Sequence, residues 1–244
     1  MKEPDISVVI PLYNEENRIL QKLGSYTSFL AENFSDYEII FVDDGSTDLT
    51  REVMEKIADS NKNIKNIFLP ENKGRGFAMK TGVLASKGKY ILETDADLPV
   101  PALFIGQFVQ YLNENKDIDM VVGSRGVVGS KFIVKQTAIR ILAGHVFHLI
   151  FNNVFQIKTK DVMCGFKMFR NRAAKEVFAH VYDNKFLAAA EIIFVAKKLK
   201  FKCEELPVVW EDNRHSKVHV FRDSIITIYG IFKMIWRDLV GKYK

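Results

Sequence analysis

Short apolar runs alternate with amphipathic stretches through the first half of the chain. Ile6 to Ile10, Tyr37 to Val42, Ile67 to Leu69, Tyr90 to Thr94 and Met120 to Val122 read as strands buried on both faces. Between them, Glu15 to Glu32, Leu49 to Asn61, Gly74 to Ser86 and Pro101 to Asn113 carry helical periodicity, the second opened by the cap signal Ser46-Thr47-Asp48. This βαβ alternation predicts an α/β fold: a mostly parallel sheet with helices on both faces and right-handed crossovers. After Gly123-Ser124-Arg125 the style changes. Residues 132 to 155 form a long apolar-basic stretch, Cys164 to Phe169 reads as a strand, Ala188 to Leu199 as a helix and Leu206 to Trp210 as a further strand. Phe221, Ile225, Ile228, Tyr229, Phe232, Ile235, Trp236 and Leu239 then recur at helical spacing opposite Arg222, Asp223, Thr227, Lys233 and Arg237, an amphipathic helix. No Pro/Gly/Ser linker interrupts the chain, so residues 1–244 read as one domain with two lobes, divided into 1–125, 126–220 and the helical tail 221–244.

Composition narrows the class. With 244 residues, 48% hydrophobic, the chain can bury a full core. Cys164 and Cys203 are the only cysteines and form no Cys-x-x-Cys, so neither a disulfide framework nor a cysteine zinc site is expected; a reducing cytosol fits. His145 with His148, and His215 with His219, have tolerable metal spacings, but no acid or cysteine accompanies the first pair, and interfacial or core histidines are the better reading. No signal-like leader precedes the first strand, and no run reaches the roughly 18 uninterrupted apolar residues of a spanning helix, so an integral membrane protein is not expected.

The net charge of +5 is unevenly placed. Residues 131 to 160 hold five Lys or Arg and no acid, and residues 214 to 244 hold seven against Asp223 and Asp238, which leaves five net negative charges on the rest. Two basic segments on an acidic body point to an anionic partner, or else to ordinary solvated charge. Tyr229 and Trp236 beside the basic residues favour a membrane interface over core packing of the last helix, and residues 132 to 151 read similarly. Nucleic acid is not expected, because no recognised binding motif accompanies the charge.

The chemistry collects at strand ends. Pro11-Leu12-Tyr13-Asn14-Glu15 follows the first strand, Asp43-Asp44-Gly45-Ser46 the second, Asn72-Lys73-Gly74-Arg75-Gly76 the third and Asp95-Ala96-Asp97 the fourth, all on one edge of a parallel sheet. Ligands of such sheets bind beyond the carboxyl ends of the strands. The helix-to-strand connections opposite lack comparable acids, which favours a nucleotide site over turn chemistry. Asp95 and Asp97, one residue apart, are a natural pair for a hard cation, Mg²⁺ or Mn²⁺, although lone Asp-x-Asp pairs also occur in surface turns.

In order, Val8 to Glu16, Val42 to Asp48, Gly74 to Ala78 and Asp95-Ala96-Asp97 resemble the inverting family 2 glycosyltransferases of GT-A (Rossmann-like) fold. Asp161-Val162-Met163-Cys164-Gly165-Phe166-Lys167-Met168-Phe169, then Glu191, then Ser216-Lys217, resembles the dolichyl-phosphate glucosyltransferase branch, to which mannosyl counterparts are close. The resemblance spans nearly the whole chain. It implies transfer of a hexose from a nucleotide sugar, UDP-glucose or GDP-mannose, to a polyprenyl phosphate by a peripheral protein at the cytoplasmic face of a membrane. Residues 1–125 would then be the nucleotide-sugar half and 126–220 the acceptor half.

Carried onto this sequence, the resemblance makes Asp95 and Asp97 the metal ligands. Pro99 stands where many relatives offer a further metal contact and cannot supply one. Pro11, Tyr13 and Glu15 would line the nucleoside pocket, Glu15 accepting from ribose hydroxyls or else favouring a helix dipole, with Asp43, Asp44 and Ser46 beside them and Asp44 pairing with a base N–H. Arg75 at a helix start would face phosphate. Arg125, Arg140, Arg214 and Lys217, with Ser216, are candidates for the acceptor phosphate, Arg140 being equally readable as a membrane-facing charge. A phosphate monoester is already ionised near neutral pH, so no obligatory general base is expected. Relatives often carry Asp two residues before the helix Glu; here Ala189 stands there, and Glu191 is a candidate for sugar recognition or an exposed helix-start acid. Transfer to a polysaccharide or protein hydroxyl, and a catalytically silent sugar-nucleotide-binding protein, stay open as alternatives.

Overall fold

Seven strands form one sheet in the order β3-β2-β1-β4-β7-β5-β8. They are β1 (Ile6–Leu12), β2 (Tyr37–Asp43), β3 (Ile64–Phe68), β4 (Tyr90–Glu93), β5 (Met120–Ser124), β7 (Lys167–Arg170) and β8 (Cys203–Pro207); β6 (Lys131–Phe132) and β9 (Val209–Trp210) form a separate parallel pair. This computed structural model describes residues 3–132, 138–211 and 220–243. β1 to β4 run parallel and β5 parallels β8, while β7 is antiparallel to both of its neighbours. The expected mostly parallel α/β sheet is present.

Residue alternation explains the layers. Val8, Ile10, Ile39 and Phe41 face a core shared with α1 (Ile19–Asn33), α2 (Thr50–Ser60) and α4 (Leu103–Glu114). Val9, Ile40 and Val42 face the other core, filled by α3 (Arg75–Ala85), α5 (Ala138–Phe155), α6 (Asn171–Ala179), α7 (Ala188–Lys198) and α8 (Val220–Leu239). Strands covered on both sides need no polar face, and β1, β2, β4 and β5 are buried throughout.

Several expectations need correction. β3 is an edge strand, half-exposed after Ile64, and spans Ile64–Phe68 rather than 67–69. α1 starts at Ile19, not Glu15, because residues 16–18 form a turn; Glu15 is therefore no first-turn acid, which removes the helix-dipole reading. The cap signal of α2 acts one residue earlier than a standard cap: Asp48 Oδ1 accepts the Thr50 N–H at 3.0 Å and the Thr50 hydroxyl at 2.5 Å. The strand expected over 206–210 is two strands in two sheets. Pro207, without an N–H, ends the β8 ladder, and the Val208 carbonyl turns to accept from Lys131 at 3.2 Å. α6 was not anticipated, though Ala173, Ala174, Val177 and Phe178 give it a buried stripe.

α8 packs part of its apolar surface into the core and leaves part of it exposed. Ile231 and Met234 are buried, while Ile228, Tyr229, Phe232, Trp236 and Leu239 are exposed on the other side. α5 likewise buries Phe151 and Phe155 and exposes Val146, Leu149 and Val154. No described helix is long and apolar enough to cross a membrane.

Candidate functional site

The chain builds β1, β2 and β3 outward to one side and returns with β4 on the other flank of β1, so the strand order reverses between β1 and β4. That switch point is where an open α/β sheet binds ligands. It brings together the ends of β1 (Pro11, Tyr13, Glu15), β2 (Asp43, Asp44, Ser46) and β4 (Asp95, Asp97) with the start of α3 (Arg75).

The β1 and β2 ends are stitched to each other. Asn14 N–H donates to Ser46 Oγ (3.0 Å), Glu15 N–H to Thr50 Oγ1 (2.8 Å), and Thr47 N–H to Asn14 Oδ1 (2.9 Å), with Asn14 in the left-handed region at φ 54°. Pro11 is buried in β1 and Tyr13 is exposed. Glu15 pairs with Arg18 through Oε1, whereas its Oε2 is buried without a hydrogen-bond partner among the described residues. Such an oxygen suits a hydroxyl donor. Asp43 Oδ1 holds the turn by accepting Ser46 N–H at 3.1 Å. Asp44 is engaged at both oxygens, accepting the N–H groups of Lys73 and Gly74 at 2.8 Å each, so it shapes the β3–α3 loop; burial raises its pKa against those bonds.

Arg75 and Asp95 form the centre. Nε and Nη2 of Arg75 lie 2.7 and 2.6 Å from the same oxygen, Asp95 Oδ1. A guanidinium carries five N–H donors, and with Nε and Nη2 turned to this one oxygen it has donors to spare. Asp97 is two residues on; burial, and then the charge of Asp95, push its pKa from 3.8 up to about 6. Gly165 packs against the pair so closely that a Cβ there would fall 2.0 Å from Asp95 Oδ2.

Arg125 contrasts with Arg75. Its Nε and Nη2 grip the two oxygens of Asp161 at 2.5 and 2.8 Å, its backbone N–H adds a third bond at 3.1 Å, and its guanidinium lies 4.7 Å from the Trp210 ring centre. Both oxygens of Asp161 are thus taken up by the Nε–Nη2 side of the fork, and Asp161 is held below its usual range by Arg125 despite burial. Glu191 is fully buried, which corrects the exposed helix-start reading. It accepts from the backbone N–H groups of Tyr182 (2.9 Å) and Asp183 (2.6 Å), from Arg237 (3.2 Å) and from the Tyr243 hydroxyl. Arg140 belongs to α5, but its side chain lies outside the described residues, as do Arg214, Ser216 and Lys217. Sequence reasoning missed Arg237, Tyr243, Asp161 as partner of Arg125, and Gly165; of these, Asp161 and Gly165 carried a signal, as members of the run from Asp161 to Phe169.

Residues 7–178 match Glycosyl transferase family 2. Over 98% of this chain and 76% of its own length, a dolichyl-phosphate beta-glucosyltransferase of Dictyostelium discoideum is 31% identical, and one of Saccharomyces cerevisiae is 33% identical over the same shares. Among solved structures, the glucosyl-3-phosphoglycerate synthase of Mycobacterium tuberculosis superposes with a TM-score of 0.66 at 17% identity, over 93% of this chain and 80% of that one. A mannosyltransferase from Pyrobaculum calidifontis in complex with GDP-Man and Mn²⁺ gives 0.59 at 18% identity, over 88% and 59%. These likenesses establish the GT-A fold.

Proposed function

Since the chain belongs to glycosyl transferase family 2, and with it is a glycosyltransferase, we propose that it transfers glucose from UDP-glucose to a dolichyl-type polyprenyl phosphate with inversion. The observation that carries this reading is the Asp95–Asp97 pair beside an under-occupied Arg75 at the switch point, in a chain that aligns with dolichyl-phosphate beta-glucosyltransferases over 98% of its length.

The residues fit a divalent cation, Mg²⁺ or Mn²⁺, that arrives with the donor. Burial first, and then the neighbouring charge of Asp95, disfavour the ionised form of Asp97, and a dication beside the two carboxylates would offset both. Asp95 and Asp97 would hold the cation; among the described residues no group of three or more His, Cys, Asp or Glu could do so, and Pro99 adds no side-chain ligand, so water or the donor would supply the remaining positions. When bound, the cation neutralises charge on the departing nucleoside diphosphate. Arg75 turns its free donors to the same phosphates, and Glu15 Oε2 takes a ribose hydroxyl. Pro11, Tyr13, Asp43 and Ser46 frame the nucleoside.

An ionised oxygen of the lipid phosphate attacks the anomeric carbon as the bond from that carbon to the diphosphate oxygen breaks on the opposite face. No proton has to leave the nucleophile. A hydroxyl acceptor would need a carboxylate base, yet Asp161 and Glu191 in the second half are both tied to arginines and Ala189 replaces the further acid, which favours the phosphate acceptor. Arg125 orders the acceptor side through Asp161, while Arg140, Arg214, Ser216 and Lys217 are assigned to the acceptor phosphate on their sequence alone. The exposed apolar faces of α5 and α8 seat the protein peripherally on the cytoplasmic leaflet.

Purified protein with Mg²⁺ or Mn²⁺ is expected to move label from UDP-glucose to short-chain polyprenyl phosphate faster than from GDP-mannose. Preference for GDP-mannose would reassign the donor, and no transfer from any common nucleotide sugar would reject the activity.

A further inference from the structure

Glu191 sits in the first turn of α7, after the loop 181–187, and its oxygens are occupied by protein. Two of its donors, Arg237 and the Tyr243 hydroxyl, come from the end of α8 and the turn after it. The other two are backbone N–H groups of Tyr182 and Asp183. Rings reinforce the join: Tyr182 and Tyr243 meet edge to face at 5.6 Å, and the Arg237 guanidinium lies 5.5 Å from the Tyr182 ring centre.

The backbone held in this way leans directly on the start of α3. Asn184 O accepts the Phe77 N–H at 3.2 Å. A Cβ on Gly74 would fall 2.3 Å from Asn184 O, and one on Gly76 would fall 2.5 Å from Asp183 O, so the loop and the helix start are in contact with no side chain between them. Arg75 lies between those glycines and carries the ion pair to Asp95. A continuous set of contacts therefore runs from the C-terminal segment to the donor site.

We propose that Glu191 is a positioning residue for the nucleotide sugar: clamped by Arg237 and Tyr243, it holds the Tyr182–Asn184 backbone against α3 and thereby fixes Arg75 for the donor phosphates. The inference rests on the donor site proposed above. It replaces direct sugar recognition by Glu191, whose oxygens have no room for another donor.

Lys198 provides the control. It ties α7 to α8 through Asp238 at 2.6 Å without touching Glu191 or the loop, so Lys198→Gln loosens the same helix by another route. Titration of Mn²⁺ with UDP, and separately with GDP, into the 244-residue protein reads the donor site without turnover. Tyr243→Phe and Arg237→Gln are expected to weaken the tighter nucleotide by about tenfold, the scale of one lost charge-assisted bond, and to raise donor KM alike with acceptor KM and kcat unchanged. Lys198→Gln is expected to lower Tm comparably and leave nucleotide affinity unchanged. Unchanged affinity in both clamp variants, an equal loss in Lys198→Gln, or a fall in kcat with donor KM unchanged would each overturn the proposal. A wild-type protein that binds neither nucleotide would instead overturn the donor site on which it rests.

Discussion

Asp97 and Gly165 show how much of this site is decided by single residues. A carboxyl whose pKa is higher folded than unfolded adds stability below its unfolded value and loses it as pH rises through the folded value. For Asp97 that window runs from 3.8 to about 6, so the metal-free protein loses this contribution as the pH rises across it. Measured in chelator, the Tm of wild type should fall relative to that of Asp97→Asn as pH rises through the window, and Mn²⁺ with nucleoside diphosphate should reverse the loss for wild type alone. Asp95→Asn and Asp97→Asn should both abolish transfer. Gly165→Ala must displace the Asp95 carboxylate, because the added Cβ would lie 2.0 Å from Oδ2. Loss of at least about tenfold in transfer rate is expected, the scale of a misplaced reacting group, with the protein still folded by circular dichroism.

Among the elements, β7 is the one whose placement depends most on a buried charge. Lys167 and Glu93, both fully buried, face each other across the β4–β7 pairing with Nζ 2.7 Å from Oε1, and Lys167 also donates to Cys164 O at 2.6 Å. A one-residue slip would strand both charges in the core, so the pair specifies the register of the antiparallel strand. Lys167→Met alone should cost about 3–5 kcal/mol in urea unfolding, with most of it recovered in Lys167→Met combined with Glu93→Gln. The same pair marks the limit of reading from the sequence. The parallel strands and the carboxylates at their tips were legible because each signal is local: an apolar run, then a polar cluster. Lys167–Glu93, Arg125–Asp161 and Glu191–Arg237 join residues 74, 36 and 46 positions apart, and no periodicity predicts such partners. The start of α1 was misplaced for a related reason, since Glu15 and Glu16 have ordinary helix propensity but are drawn into contacts with Thr50, Arg18 and Leu49.

At the scale of the whole molecule, α5 and α8 present apolar side chains outward that the core does not need, with Phe232 at 64%, Trp236 at 59% and Leu239 at 81% exposure. Scattered exposed apolar residues are ordinary, but these recur on one helix face, where the Lys233 ammonium lies 4.5 Å from the ring centre of exposed Tyr229. Phe232→Glu with Trp236→Glu should abolish cosedimentation with anionic phospholipid vesicles while changing stability by only about 0.5 kcal/mol per site. The sheet order carries a further consequence, for synthesis. β5 bonds to β7 and β8, and β4 has β7 on its outer side, so a nascent chain that has reached residue 125 holds β4 with one open edge, closed when residues 167–170 arrive, and β5 with two, the second closed only by residues 203–207. Unpaired edges template association between chains. A fragment ending at residue 125 should therefore precipitate rather than fold, although it carries Asp95, Asp97 and most of the nucleotide contacts. During translation, the ribosome must make some forty more residues before β4, the strand that carries the carboxylate pair, is covered on its second edge.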